Sequence, residues 1–334
     1  MSNPNAPSLD ITVLSGRLGS GKTTLLTDWL KAYPAADVGL IINEVGELDI
    51  DGALVMNQAK DQPITILPSG CLCCSMQDDL VSTIATLIEA KFERDGTALR
   101  AVIIETSGLA RPTAVVASLL TPELMQHGLN VQIVCTFDSE AGPEMLADDA
   151  PGRAQLACAQ RIIFTKLDRV SALEAQHAFD LVKAINPLAE LVLEFGRDKL
   201  LPLAFSRSRS LTRENFHELL FIKPDPTPHS NVRVVCRQLD AALDWDRFSA
   251  GLDDLVAYCS DHLLRTKFLL RIEGASSAVL LQSVGYRFSR PTIVEGLQLT
   301  SSRLVFILEN YDEDLFNAQF GITIGACVDA PPGG

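Results

Sequence analysis

Residues Gly16-Arg17-Leu18-Gly19-Ser20-Gly21-Lys22-Thr23 constrain this chain more than any other stretch, because of what flanks them. The apolar run 11–14 predicts a strand and 23–30 the opening of a helix, so a glycine-rich turn joins strand to helix in the order a phosphate-binding loop (P-loop) requires. Glycine tolerates the backbone angles that turn successive N–H groups inward around a phosphate, and the helix N-terminus adds positive potential. Lys22 is expected to reach the terminal phosphates and the Thr23 hydroxyl to ligate Mg2+.

The surrounding pattern agrees with such a loop. Apolar runs at 37–42, 64–67, 101–104, 131–137, 161–164 and 190–193 alternate with helix-compatible spacing at 78–92, 112–120, 153–159 and 172–185. This alternation predicts an α/β domain, a mostly parallel sheet with helices on both faces. Pro224, Pro226 and Pro228 then break every period, and 334 residues exceed what one core usually supports. Strands at 231–237, 267–272, 278–283 and 304–308, with helices at 245–264 and 312–320, predict a smaller α+β domain: an antiparallel sheet covered on one face by helices. The expected organisation is a nucleotide domain over 1–222 with about the first eight residues disordered, a linker over 223–230 and a C-terminal domain over 231–330.

Hydrophobic residues at 47% and charged ones at 21% describe a globular chain, and no apolar run is long enough for a membrane span. A formal net charge of -14 disfavours nucleic acid and anionic lipid as partners. The first ten residues are polar and carry no Lys or Arg, unlike a signal or transit peptide, which predicts a cytoplasmic protein. Eight cysteines in that compartment point to thiol and metal chemistry instead of a disulfide framework. The five histidines, His127, His177, His217, His229 and His262, form no pair at metal-ligand spacing.

Two downstream motifs narrow the nucleotide. Glu105-Thr106-Ser107-Gly108 leaves the strand 101–104 where P-loop proteins place an acidic residue for the Mg2+ shell and a glycine N–H for the terminal phosphate. Thr165-Lys166-Leu167-Asp168 follows another strand, where a carboxylate can accept both edge protons of guanine while the lysine stem covers the base. Adenine has no such pair of donors, so GTP is the expected nucleotide.

Cys71-Leu72-Cys73-Cys74 lies in the same domain. In an extended segment Cys71 and Cys73 share a face and a turn can bring Cys74 round, so three thiolates can hold one soft ion such as Zn2+, Co2+ or Cu(I), with an open fourth position. A redox pair and packed thiols are the other readings. Glu44 and Glu47 are candidate supplementary ligands or switch residues, whereas Cys135, Cys158, Cys236, Cys259 and Cys327 stand singly in apolar or helical contexts.

Taken with Asn43-Glu44-Val45-Gly46-Glu47 and Leu109-Ala110, the stretches 16–24, 70–74, 105–108 and 165–168 resemble the CobW-like P-loop GTPases. The resemblance implies a GTPase domain joined to a smaller C-terminal domain, in a metallochaperone or a maturation factor for metalloenzymes. It marks Gly16, Gly19, Ser20, Gly21, Lys22, Thr23, Thr24, Thr165, Lys166 and Asp168 for GTP, and Lys22, Glu105 and Gly108 for hydrolysis. Cys71, Cys73, Cys74 and Glu47 would hold zinc or cobalt, with Thr23 on Mg2+. After the linker the pattern is diffuse, carried by Arg265-Thr266-Lys267 and Gln282-Ser283-Val284. Arg17 and Arg111 replace the usual phenylalanine and aspartate, Thr165 replaces a common asparagine, and no histidine-rich stretch is present. Deviant P-loop ATPases carry a signature lysine at the position of Arg17, which makes an arginine finger acting across a nucleotide-dependent homodimer an expectation to test.

The expected function is thus nucleotide-controlled delivery of a metal to a client metalloprotein. The alternative is a GTP-gated interaction factor that holds no transferable metal. A small-molecule kinase would need a phosphoryl-acceptor site, for which the chain shows no pattern.

Overall fold

The computed structural model describes residues 8–33, 37–42, 64–66, 77–141, 146, 149–207, 211–212, 216–220, 222 and 231–325. Glu44, Glu47, Cys71, Cys73, Cys74 and Cys327 lie outside the described residues. The chain divides into two compact units, one of 1–183 with 189–208 and one of 184–188 with 209–334.

The first unit is built on a parallel seven-stranded sheet in the order β3-β2-β4-β1-β5-β6-β7. Its strands are β1 (Asp10–Ser15), β2 (Val38–Ile42), β3 (Ile64–Ile66), β4 (Ala101–Glu105), β5 (Asn130–Asp138), β6 (Arg161–Thr165) and β7 (Glu190–Val192). Strands β1, β2 and β4 are almost continuously buried, as parallel strands covered on both faces must be. Helices α1 (Lys22–Ala32), α2 (Gln77–Asp95), α3 (Pro112–Ser118), α4 (Pro122–Met125), α5 (Ala150–Cys158), α6 (Ala172–Ile185) and α7 (Arg197–Ala204) complete the unit.

On one face Leu14, Leu40, Ile103, Val134 and Ile163 pack against Leu25, Leu26 and Leu30 of α1 and Leu200, Leu201 and Ala204 of α7. Gly39 points to the opposite face, where a Cβ would come within 3.2 Å of Leu87 in α2, so the missing side chain lets that helix lie close. Helix α3 packs on β1 and on α5, and α5 on β5. The Ser8 hydroxyl accepts from Arg207 Nη2 at 3.0 Å, which ties the entry to β1.

The second unit holds helix α8 (His217–Leu220), strand β8 (Val232–Leu239), helix α9 (Trp245–Cys259), strands β9 (Leu263–Leu270), β10 (Ala278–Val284), β11 (Arg287–Phe288), β12 (Thr292–Val294) and β13 (Ser302–Glu309), and helix α10 (Glu313–Phe320). Its antiparallel sheet runs β11-β10-β9-β13-β8, with β12 paired to β10. Phe248, Phe268, Phe306, Phe316 and Phe320 form an aromatic core between sheet and helices, with Phe268 and Phe306 centroids 4.8 Å apart. Asp244 caps α9 and Asp312 caps α10, each accepting a backbone N–H at 2.9 Å.

The helix expected over 245–264 is shorter than the sequence suggests. It stops at Cys259, because Ser260 adopts φ 47, and Leu263 and Leu264 open β9. Helices α4, α7 and α8 and strands β11 and β12 have no counterpart in the sequence reading.

Candidate functional site

All the described candidate residues hang from the carboxyl ends of β1, β4, β5 and β6, the edge where open parallel sheets bind ligands. Gly16, Gly19 and Gly21 have φ of 137, 76 and 88, angles that L side chains avoid. Gly21 precedes α1 without a side-chain cap, which leaves the helix start to a ligand's oxygens. Lys22 is buried, and its Nζ donates to the loop carbonyls of Gly16 at 2.8 Å and Arg17 at 3.1 Å, curling the loop around the ammonium. Thr24 is exposed in the first turn of α1.

Thr23 Oγ1 donates to Glu105 Oε1 at 2.6 Å, so β4 and α1 are joined by a hydroxyl and a carboxylate. These are hard oxygen donors and fit Mg2+, which takes few protein ligands and retains water. Ser20 Oγ and Thr136 Oγ1 are 2.6 Å apart, fastening the loop to β5. Gly108 packs directly on the Leu18 backbone, where any Cβ would collide. The P-loop and the segment leaving β4 are therefore in contact.

In the stretch Thr165–Asp168, the Thr165 hydroxyl lies 2.8 Å from Ser20 O and 3.0 Å from Phe137 O, and so bridges β6 to the P-loop. Lys166 takes a left-handed conformation, φ 55, and its Nζ is 2.5 Å from Asp138 Oδ2. Asp168 is exposed in the turn Leu167–Arg169, with its carboxylate in solvent at the sheet edge.

Sequence reasoning missed three residues here. Asp138 anchors Lys166, Asp149 caps α5 and pairs with Arg17 Nε at 2.6 Å, and Gln155 bonds the segment after Gly108. All belong to positions without a motif, and only the tertiary fold brings them to the loop. Arg111 is exposed at the start of α3.

Burial raises the Cys135 thiol far above its usual range, with Cys158 adding to the shift and Lys22 opposing it. Cys259 is pushed up to about 11 by burial, and Cys236 is raised by the same cause. Among the described residues no group of three or more His, Cys, Asp or Glu could hold a metal ion. No helix among them is long and apolar enough to cross a membrane.

Comparison with known proteins agrees with this geometry. The CobW/HypB/UreG nucleotide-binding domain matches residues 10–193, and the cobalamin synthesis protein CobW C-terminal domain matches 232–322. The zinc chaperone YjiA of Escherichia coli is 28% identical over 322 residues, covering 93% of this chain and 97% of that protein. The zinc chaperone CobW of Pseudomonas aeruginosa is 28% identical over 343 residues, covering 91% and 88%. A crystal structure of Zn(II)-bound YjiA GTPase from E. coli superposes with a TM-score of 0.67 at 19% identity, covering 95% of this chain and 99% of that one, and speaks for the fold. With a phosphate loop on β1, an acidic strand end on β4, and matches to both domain types in order, the chain belongs to the CobW/HypB/UreG family and carries the CobW C-terminal domain.

Proposed function

We propose that this protein is a GTP-hydrolysing metallochaperone. It binds a transition metal, zinc first and cobalt second, on Cys71, Cys73 and Cys74 with Glu47, and passes it to a client metalloprotein under control of the nucleotide. Relatives named zinc chaperones, similar over nearly their whole length, support this reading. The observation that carries it is a row across the sheet: Glu105, Ile42 and Ile66 stand side by side on β4, β2 and β3. Neighbouring strands are about 4.8 Å apart, so the chain leading to Cys71 departs about 10 Å from the backbone of Glu105, whose carboxylate bonds Thr23. The chain leading to Glu44 and Glu47 departs between them. A rearrangement at the phosphate end thus has a short path to the roots of both connections.

The residues divide the work as follows. Backbone N–H groups from Gly16 to Thr23 bind the phosphates and Lys22 neutralises them, while Thr23 and Glu105 would hold Mg2+. That ion supplies charge neutralisation on the β- and γ-phosphates when bound. Asp168 accepts the guanine edge, Lys166 covers the base, and the Gly108 N–H meets the terminal phosphate. Cys135 and Cys259 compete poorly for metal, because burial keeps them protonated and a ligating thiol must ionise.

Calorimetry tests both halves. GTP should bind much more tightly than ATP, and Asp168→Asn should erode that preference; equal affinities in the unaltered protein would overturn the guanine reading. Alanine at Cys71, Cys73 and Cys74 together should remove the zinc site and spare GTP binding. GTP should shift zinc affinity with a coupling of about 1 to 3 kcal/mol, and linkage requires the reciprocal shift. Unchanged zinc binding in the triple variant would mean that the three cysteines are not the site, whereas an unaltered protein that binds no zinc with or without GTP would leave the GTP-gated interaction factor as the better account.

A further inference from the structure

One side chain holds the segment after β4 from outside it. Gln155 of α5 is 1% exposed, and its Nε2 donates to Gly108 O at 3.1 Å and to Ala110 O at 2.9 Å. Its Oε1 has no hydrogen-bond partner among the described residues. Both bonds it is seen to make therefore go to this one segment. Burying an amide is unfavourable unless it is bonded, and an apolar side chain of similar length would fill the same space. Glutamine is accounted for at this position by the two carbonyls it binds.

We propose that Gln155 is a positioning residue for GTP hydrolysis, which sets the peptide planes that follow Gly108; the inference rests on reading this site as a GTPase. Peptide planarity makes a carbonyl and the next N–H point in opposite directions. Fixing Gly108 O and Ala110 O towards α5 therefore turns the N–H groups of Leu109 and Arg111 away from it. It also limits the swing of Gly108, which has no Cβ to restrict it. The Gly108 N–H is the group offered to the terminal phosphate, so its direction is critical for the transition state and matters little for a bound diphosphate.

The same helix grips the other side of the site. Asp149, at the N-terminus of α5, pairs with Arg17, and a Cβ on Gly152 would lie 3.1 Å from Arg17 Cδ. Helix α5 thus braces the P-loop at one end and the Gly108 segment six residues later, with Gly108 itself seated on Leu18.

Gln155→Met preserves length and removes both donors. In the full chain it should keep GDP affinity within threefold, lower kcat for GTP at least tenfold, and reduce the preference for a nonhydrolysable GTP analogue over GDP. Amide exchange over 105–111 should speed up, with exchange in α1 unchanged. A purely structural role would instead lower Tm and both nucleotide affinities together. Gln155→Glu, which keeps the shape but replaces the donor nitrogen, should reproduce the kinetic loss and serves if the Met variant does not fold. Unchanged kcat and analogue preference in a folded variant would overturn the proposal. No turnover in the unaltered protein would instead refute the GTPase reading, while the exchange arm still reports on the tether: faster exchange at 105–111 upholds it and unchanged exchange ends it.

Discussion

Arg17 illustrates how much a single residue's role depends on its partner. Its guanidinium is 2.6 Å from Asp149, and its side chain remains 40% exposed. Asp149 is buried, so the pair joins a buried carboxylate to a partly exposed guanidinium that can reach a ligand at the rim of the site. Asparagine caps helices as well as aspartate does, so Asp149→Asn should keep the start of α5 while releasing Arg17. If Arg17 acts across a dimer, phosphate release per protomer should rise severalfold in that variant, increase with protein concentration, and fall back in the Arg17→Ala double variant. A flat response across concentrations would leave Arg17 as a rim residue. At this scale the sequence was legible where geometry is local: the structure curls the loop around Lys22 and joins Thr23 to Glu105, residues their motifs single out. Thr165 is marked in the sequence for GTP and as a departure from asparagine, but that its hydroxyl bridges Ser20 and Phe137 across strands is a relation no one-dimensional pattern contains.

Among the elements, α2 shows how a helix end can be fastened electrostatically. Lys91, with its side chain 2% exposed, lies 2.6 Å from Asp95 and 3.1 Å from Asp37 just before β2. The Lys91 ammonium and the Thr97 hydroxyl hold the Asp95 carboxyl well below the usual carboxylate range, and Asp95 in turn raises Lys91. A carboxyl lowered on folding stabilises above its ordinary pKa, near 3.9 for Asp, and that contribution fades as pH falls through the folded value. Asp95→Asn should therefore lower Tm most at pH 6 to 8, and the gap to the unaltered protein should close as pH drops below about 4. Thermal melts across that range check it; a constant gap would mean that packing, not charge, is lost. Periodicity located the elements of the first unit well because fully buried parallel strands are apolar throughout. It overran α9, since Leu263 and Leu264 continue the helical spacing while the backbone turn at Ser260 and pairing with β10 and β13 take them into the sheet. Helix α7, with Pro202 inside it, escaped notice because proline reads as a breaker.

For the whole molecule, burial sorts the thiols. Cys135, Cys158 and Cys259 are buried and, where shifted, are raised; they should resist alkylation at pH 7 until unfolding. Cys71, Cys73 and Cys74 should label quickly in metal-free protein and be shielded by zinc. Peptide mapping after timed labelling reads both classes, and fast modification of Cys135 in folded protein would contradict the packing of β5. The two-unit fold was foreseeable from alternating runs and the proline cluster, but the division near residue 208 falls ahead of that cluster, because chain contacts and not composition determine where a unit ends. The row Glu105, Ile42, Ile66 has a consequence for descent. Sheet register fixes where the connections after β2 and β3 are rooted, whatever their own sequence. Lineages can therefore rewrite those two connections while β2 and β3 keep them rooted beside Glu105. In that sense the edge of this sheet is an interchangeable mount, and diversity in the family should collect there first.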